Sequence, residues 1–188
     1  MQETFENFTY DWLTFSSNVK IEFPPDLSEV IRHNFKNKGN GLLHWYDLTG
    51  GHSELIASYD LAARCKDTVS RIDVAYDILL DDSTIEYIFD RYRNESIKNI
   101  RFWKVYDSDT GRTIYFGKGD LILRIYEKGK QLLLDRTFSD LKNWIRFEFQ
   151  LKGRYARNSN LTFNSPEEDF KMLAEKYIKS ELLEMLAE

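Results

Sequence analysis

At 188 residues with a formal net charge of −5, 15% aromatic residues and one cysteine, the chain is sized for one domain with a sizeable core. No apolar run approaches the ~20 residues of a membrane span, and the acidic, polar N-terminus has no signal-peptide pattern. The single cysteine, Cys65, excludes an internal disulfide and suits a reducing cytoplasm, where it reads as a small core hydrophobe. Charge is unevenly spread. Residues 1–89 carry 7 basic and 15 acidic side chains, residues 90–157 carry 16 and 9, and residues 158–188 carry 3 and 7. The middle third is the part suited to a polyanion, and it holds the strand that carries Arg124 and Tyr126.

In chain order, Thr9–Phe15 and Val19–Phe23 read as strands, the second broken by Pro24-Pro25. Asp26 is the expected N-cap of a helix over Leu27–Asn37, with Glu29 as its capping-box partner. A Lys38-Gly39-Asn40-Gly41 turn leads into a strand at Leu42–Leu48, and Thr49-Gly50-Gly51 makes another turn. Two glycines without a helix-opening pattern are a weak signal for a phosphate cradle. Leu55–Cys65 fits a strand or a helix. After a strand at Ser70–Ile78, Asp82 or Ser83 caps a helix to Tyr92, and Arg101–Tyr106 returns as a strand. Asp107–Arg112 is a hairpin loop ahead of Thr113–Phe116, and Phe138–Asn143 separates the next strand from the last.

The final helix, Glu167–Glu188 after Pro166, is amphipathic: Phe170, Leu173, Tyr177, Leu182 or Leu183 and Leu186 recur near 3.6-residue spacing, with the acidic residues elsewhere. It is expected to pack on the main domain, residues 1–165; use of residues 166–188 for dimerisation is the alternative. The fold class is α+β, with a mostly antiparallel central sheet and helices on one face.

Three strands carry the chemistry. In SRIDVAYDI, Arg71, Asp73, Ala75 and Asp77 share one face, and Ile72, Val74 and Tyr76 the other. In WIRFEFQLK, Arg146, Glu148, Gln150 and Lys152 oppose Ile145, Phe147, Phe149 and Leu151. In LILRIYEKGK, alternation sends Arg124, Tyr126 and Lys128 to one side and Leu121, Leu123 and Ile125 to the other. Aspartate is depleted in strands, yet one strand carries two in register. Carboxylates converging from different strands suit a hard divalent cation such as Mg²⁺ or Mn²⁺. A tyrosine among cations suits attack on a phosphodiester, provided its phenolate is favoured. The same pattern is equally that of a wet sheet face with cross-strand ion pairs and a snorkelling tyrosine.

Four segments, YDWLTF (10–15), SRIDVAYD (70–77), TIYFGKGDLILRIYEKGKQ (113–131) and WIRFEFQLKG (144–153), are similar in order and spacing to the Rep_trans family. These are replication initiators of phages, plasmids and conjugative elements, and the resemblance covers about residues 8–157, nearest to the filamentous-phage members. It implies a rolling-circle nuclease fold and site-specific nicking and joining of single-stranded DNA at an origin, through a covalent 5′-phosphotyrosine. Carried over by position, Tyr126 would be the nucleophile with Lys128 beside it, and Asp73 and Glu148, with Asp77 as a candidate third, would hold Mg²⁺ or Mn²⁺. Glu127 falls on the opposite face. Arg71, Arg124, Arg146, Lys118 and Lys152 are the expected DNA contacts. His33, His44 and His52 never fall two apart, so a metal relies mainly on carboxylates. Several aromatics are candidate stacking platforms for bases, and the rest are core. The implied partners are origin DNA and a host helicase, with a homodimer as a further option. The chain ends in helix-like sequence without a stop signal, so part of the segment for duplex origin recognition is expected to be missing. The competing readings are a non-catalytic DNA- or protein-binding module on the same fold, and a metal-dependent nuclease that activates water.

Overall fold

The computed structural model describes residues 6–39, 41–50, 55–56, 60–65, 68–93, 95, 97, 99–132, 142–178 and 184. The strands are β1 (Glu6–Ser17), β2 (Arg32–Lys38), β3 (Gly41–Thr49), β4 (Val69–Leu79), β5 (Phe102–Ser108), β6 (Gly111–Lys118), β7 (Leu121–Glu127) and β8 (Trp144–Lys152). They form one eight-stranded sheet in the order β2-β3-β1-β4-β8-β7-β6-β5. Every neighbouring pair is antiparallel. The helices are α1 (Pro25–Val30), α2 (Leu61–Cys65), α3 (Asp82–Tyr92), α4 (Lys128–Leu132), α5 (Gly153–Arg157) and α6 (Pro166–Tyr177). The α+β expectation holds.

Period-2 alternation does what the sequence pattern requires. Ile72, Val74, Ile125, Phe147 and Phe149 are buried together with Leu27 of α1, Leu61 and Cys65 of α2, Ile85, Ile88 and Phe89 of α3, Ala156 of α5 and Phe170 and Leu173 of α6. Those helices therefore cover one sheet face, and the charged face is left to the site. α6 docks through Phe170, whose ring lies 5.4–5.7 Å from the rings of Phe8, Tyr76 and Phe149. Leu182, Leu183 and Leu186, the rest of the predicted apolar stripe, lie outside the described residues. Nor do all the acidic residues of α6 avoid the core. Asp169 is buried, and accepts hydrogen bonds from Tyr10 Oη at 2.7 Å and from the backbone N–H groups of Thr162 and Phe163 at 2.7 and 2.9 Å.

Several elements differ from their prediction. Arg32–Lys38 is an edge strand, not the second half of a helix; all seven of its residues are exposed and it pairs with β3 along its whole length. Exposed on both faces, it has no apolar alternation to read. The preceding helix stops at Val30, because Ile31 turns extended, and Pro24 rather than Asp26 is its N-cap. Val19–Phe23 is not a strand: Ile21 N–H donates to Tyr46 Oη at 2.8 Å, and the edge of β1 is already taken by β3. The cap of α3 is Asp81, whose side chain accepts from Thr84 N–H at 2.9 Å, not Asp82 or Ser83. Gly51 and residues 138–141 of the predicted spacer lie outside the described residues.

Candidate active site

The charged face is organised in rows that run across the strands. One row reads Tyr106, Thr113, Tyr126, Arg146, Asp77 and Asn7; the next reads Lys104, Tyr115, Arg124, Glu148, Ala75 and Thr9. Beyond these lies Ile122, Gln150, Asp73 and Trp12, then Lys152, Arg71 and Thr14. Antiparallel pairing thus brings Tyr126, Asp73, Asp77, Glu148, Arg71, Arg124, Arg146 and Lys152 onto one face of the sheet, as the strand patterns imply.

The phenol of Tyr126 donates to Glu148 Oε2 at 2.9 Å, and both side chains are buried. Arg124 Nη2 makes an ion pair with Glu148 Oε1 and sits 3.4 Å from Asp73 Oδ2, so one guanidinium group bridges the two carboxylates. Arg71 adds a two-point contact to Asp73, at 2.9 and 2.5 Å, while its guanidinium stacks 3.9 Å from the ring of Trp12. Gln150 Nε2 completes the shell of Asp73 at 3.3 Å. Asp77 is held differently: Arg146 grips both of its oxygens at 2.6 Å, and the Trp144 indole N–H donates to it at 2.8 Å. Arg146 also reaches Asp11 at 2.9 Å. Asp11, Asp73, Asp77 and Glu148 are thus met by three arginines.

Burial pushes the Tyr126 phenol up to about 12, against the pull of Arg146 and Arg124, which favour its anion. Lys128 does not lie on the strand as alternation supposed; it opens α4, yet its Nζ is 5.9 Å from the Tyr126 ring centre. Burial, and then the positive Arg146, hold its ammonium below the ordinary lysine value. Glu127 points to the helix side, as alternation predicts, and is paired there with Arg112 at 2.9 Å and Lys130 at 2.8 Å. Lys118 is exposed next to the β6–β7 turn, at the far end of the hairpin from Tyr126. Arg146 is 6% exposed and committed to Asp77 and Asp11, which makes it an internal cation rather than an open DNA contact.

Two carboxylates of this face could serve a hard divalent cation. Asp73 and Glu148 flank Ala75, the smallest side chain of their rows; Thr9 Oγ1 is buried there without a hydrogen bond among the described residues, while Glu148 Oε1 is met by Arg124. Oxygen ligands from two carboxylates fit an ion that keeps several waters, with Arg124 swung aside. Asp77, saturated by Arg146 and Trp144, does not fit as a third ligand. Among the described residues no three His, Cys, Asp or Glu side chains gather as a ligand cluster.

Sequence reasoning missed two groupings. Asp11 joins Arg146 because β1 has a bulge between Tyr10 and Trp12, which sets Asp11 towards the site and Tyr10 towards the core. His33 Nε2 and His44 Nδ1 lie 2.9 Å apart on β2 and β3, stacked against Tyr46 of the core and so on the face away from Tyr126. Spacing along the chain carries no trace of that pair; only the register of a hairpin with β2 as a strand would have found it. Gly50 N–H donates to the Asp11 carbonyl at 3.1 Å and is spent on the backbone rather than turned to a phosphate.

Among the described residues, no helix is long and apolar enough to cross a membrane. No curated protein matches the sequence significantly. A family model described as replication initiation factor, Rep_trans, matches residues 67–182, from the start of β4 past the end of α6, and includes every predicted site residue. With more than half of the chain matched over the strands that build the Tyr126 site, the protein belongs to the replication initiation factor family, whose members act at DNA origins.

Proposed function

We propose that this initiator nicks and rejoins single-stranded DNA at a rolling-circle origin by transesterification on Tyr126. The observation that carries the reading is the Tyr126–Glu148–Arg124–Asp73 chain on one sheet face. In the proposed step Tyr126 Oη attacks the scissile phosphorus and passes its proton to Glu148 Oε2, to which it is already hydrogen-bonded. The P–O3′ bond breaks, the leaving 3′ oxygen takes up a proton, and the 5′-phosphate stays on the tyrosine. The ester retains the bond energy needed for rejoining. Arg124 and Lys128, released from their carboxylate and aromatic neighbours, stabilise the developing charge on the phosphate. Asp73 and Glu148 Oε1 are the residues that would hold Mg²⁺ or Mn²⁺, which polarises the phosphate when bound. Arg71 and Lys152, in one row at the edge of the patch, would guide the DNA backbone.

The 7% exposure of Tyr126 favours a second reading, a binding module on the same fold that never cleaves. The test is incubation of 5′- and 3′-labelled single-stranded oligonucleotides spanning the candidate origin, with and without Mn²⁺, followed by denaturing electrophoresis. A denaturation-resistant shift of the fragment downstream of the nick, lost in Tyr126→Phe while binding persists, supports transesterification. Binding without any adduct on a substrate shown to contain the origin supports the module. Cleavage without an adduct moves the chemistry to an activated water.

A further inference from the structure

On the charged face, on the two strands beyond that of Tyr126, lies an aromatic cluster that the nicking chemistry does not use. Trp103 and Tyr106 of β5 are 44% and 52% exposed, unusual for rings of this size. A bulge between Phe102 and Lys104 turns Trp103 out of the core alternation, so that it meets Tyr115 of β6 edge-on, with ring centres 5.9 Å apart. Tyr106 meets Tyr115 from the other side at 5.6 Å. Lys104 Nζ sits over all three rings, 4.1 Å from Trp103, 4.2 Å from Tyr106 and 5.2 Å from Tyr115. The cluster shares rows with the site: Tyr106 continues the Tyr126 row through Thr113, and Tyr115 stands opposite Arg124. Two strand spacings are roughly 10 Å, or roughly three stacked nucleotides at the 3.4 Å rise of a duplex strand.

We infer that Trp103, Tyr106 and Tyr115 form a base-stacking platform for single-stranded DNA, with Lys104 turning from the rings to the backbone phosphate between stacked bases. The inference rests on reading the sheet face as a surface for single-stranded DNA. Exposed aromatic rings interleaved with a cation are the chemistry that binds such strands without regard to sequence. Charge complementarity favours DNA over a protein partner: the cluster lies within residues 90–157, which carry 16 basic against 9 acidic side chains. A strand laid along the Tyr106–Thr113–Tyr126 row would lead its scissile phosphate to the phenol.

The test is fluorescence anisotropy of a labelled oligo(dT) at low salt with Trp103→Ala, Tyr106→Ala and, as control, Tyr87→Ala, an exposed ring on α3 across the sheet. Circular dichroism verifies that each variant is folded. Base–aromatic stacking predicts affinity losses of roughly 5- to 150-fold for each platform variant, with Tyr87→Ala unchanged. Wild-type affinity in both platform variants, an equal loss in the control, or no binding by the wild type would overturn the platform. Adduct formation on the origin oligonucleotide is scored separately. Adduct formation together with unchanged affinity in the platform variants sinks the platform and leaves the nicking reading. Platform-dependent binding with no adduct does the reverse.

Discussion

Arg146→Met would delete the guanidinium group that holds both oxygens of Asp77 at 2.6 Å and reaches Asp11 at 2.9 Å. Asp77 has no exposed surface, so its carboxylate would keep only the Trp144 indole donor at 2.8 Å. Breaking a buried pair by removing one partner costs about 3–5 kcal/mol, because an uncompensated charge stays behind. Methionine retains most of the volume, so little of that loss is cavity. With a urea dependence of about 2 kcal/mol per molar, the unfolding midpoint should fall by roughly 1.5–2.5 M. The double variant Arg146→Met, Asp77→Leu removes both charges and should recover most of the loss. Circular dichroism in urea gives the midpoints. A single-variant midpoint within about 0.5 M of wild type would refute the reasoning, since it would mean that Asp77 is hydrated rather than dependent on Arg146. Arg146 is also the foremost charge opposing the burial of the Tyr126 phenol. Its loss should raise that phenol further and reduce adduct formation at neutral pH more than DNA binding.

Asp73→Ala and Glu148→Ala should each slow cleavage and remove its dependence on Mg²⁺ or Mn²⁺; unchanged rates in both would move the metal elsewhere. Asp169→Ala leaves Tyr10 Oη and the N–H groups of Thr162 and Phe163 without their acceptor. At ~1–3 kcal/mol per buried orphan, the two buried donors, Tyr10 Oη and Phe163 N–H, alone should cost roughly 2 kcal/mol or more in urea unfolding, and clearly more than Tyr10→Phe. Gly117 has φ +77°, and a Cβ there would press on the Leu121 carbonyl oxygen and lie 2.9 Å from Ile100 Cγ2. Gly117→Ala should therefore lose more than the ~1–2 kcal/mol of the left-handed conformation alone, and a wild-type melting temperature would contradict the close approach. Burial raises Cys65 from 9.0 to about 11, Tyr126 from 10.0 to about 12, and Tyr10 well above its ordinary value. Each of these acids ionises first in the unfolded chain, so the stability they support is intact below pH 9 and lost as pH climbs towards 12. Lys128, held low by burial, contributes with the opposite sign. Urea midpoints that stay flat or rise from pH 9 to 12 would show that these groups are not buried as described.

Much of the site was legible because a strand's side-chain period is local. Asp73 and Asp77 opposite Ile72, Val74 and Tyr76, Glu148 opposite Phe147 and Phe149, and Tyr126 opposite Ile125 all follow from alternation, and the buried face followed with them. Where alternation was absent or interrupted, the reading failed. Arg32–Lys38 has no apolar face because it is an exposed edge, and its charged, polar residues read as helix until pairing with β3 makes them a strand. Lys128 continues the alternation of Tyr126 in sequence, but the chain turns helical at that residue.

The linear sequence determined which faces are charged and which are apolar, since side-chain chemistry at period 2 needs no partner to be read. Which carboxylate meets which arginine was decided only in the tertiary structure, because that depends on strand order, register and bulges. One bulge sends Tyr10 to Asp169 in the core and Asp11 to Arg146 in the site, the reverse of what unbroken alternation from Leu13 and Phe15 would give. Another lifts Trp103 beside Lys104. Both depend on hydrogen bonds to strands distant in sequence, and such pairing leaves no periodic mark on the residues that make it.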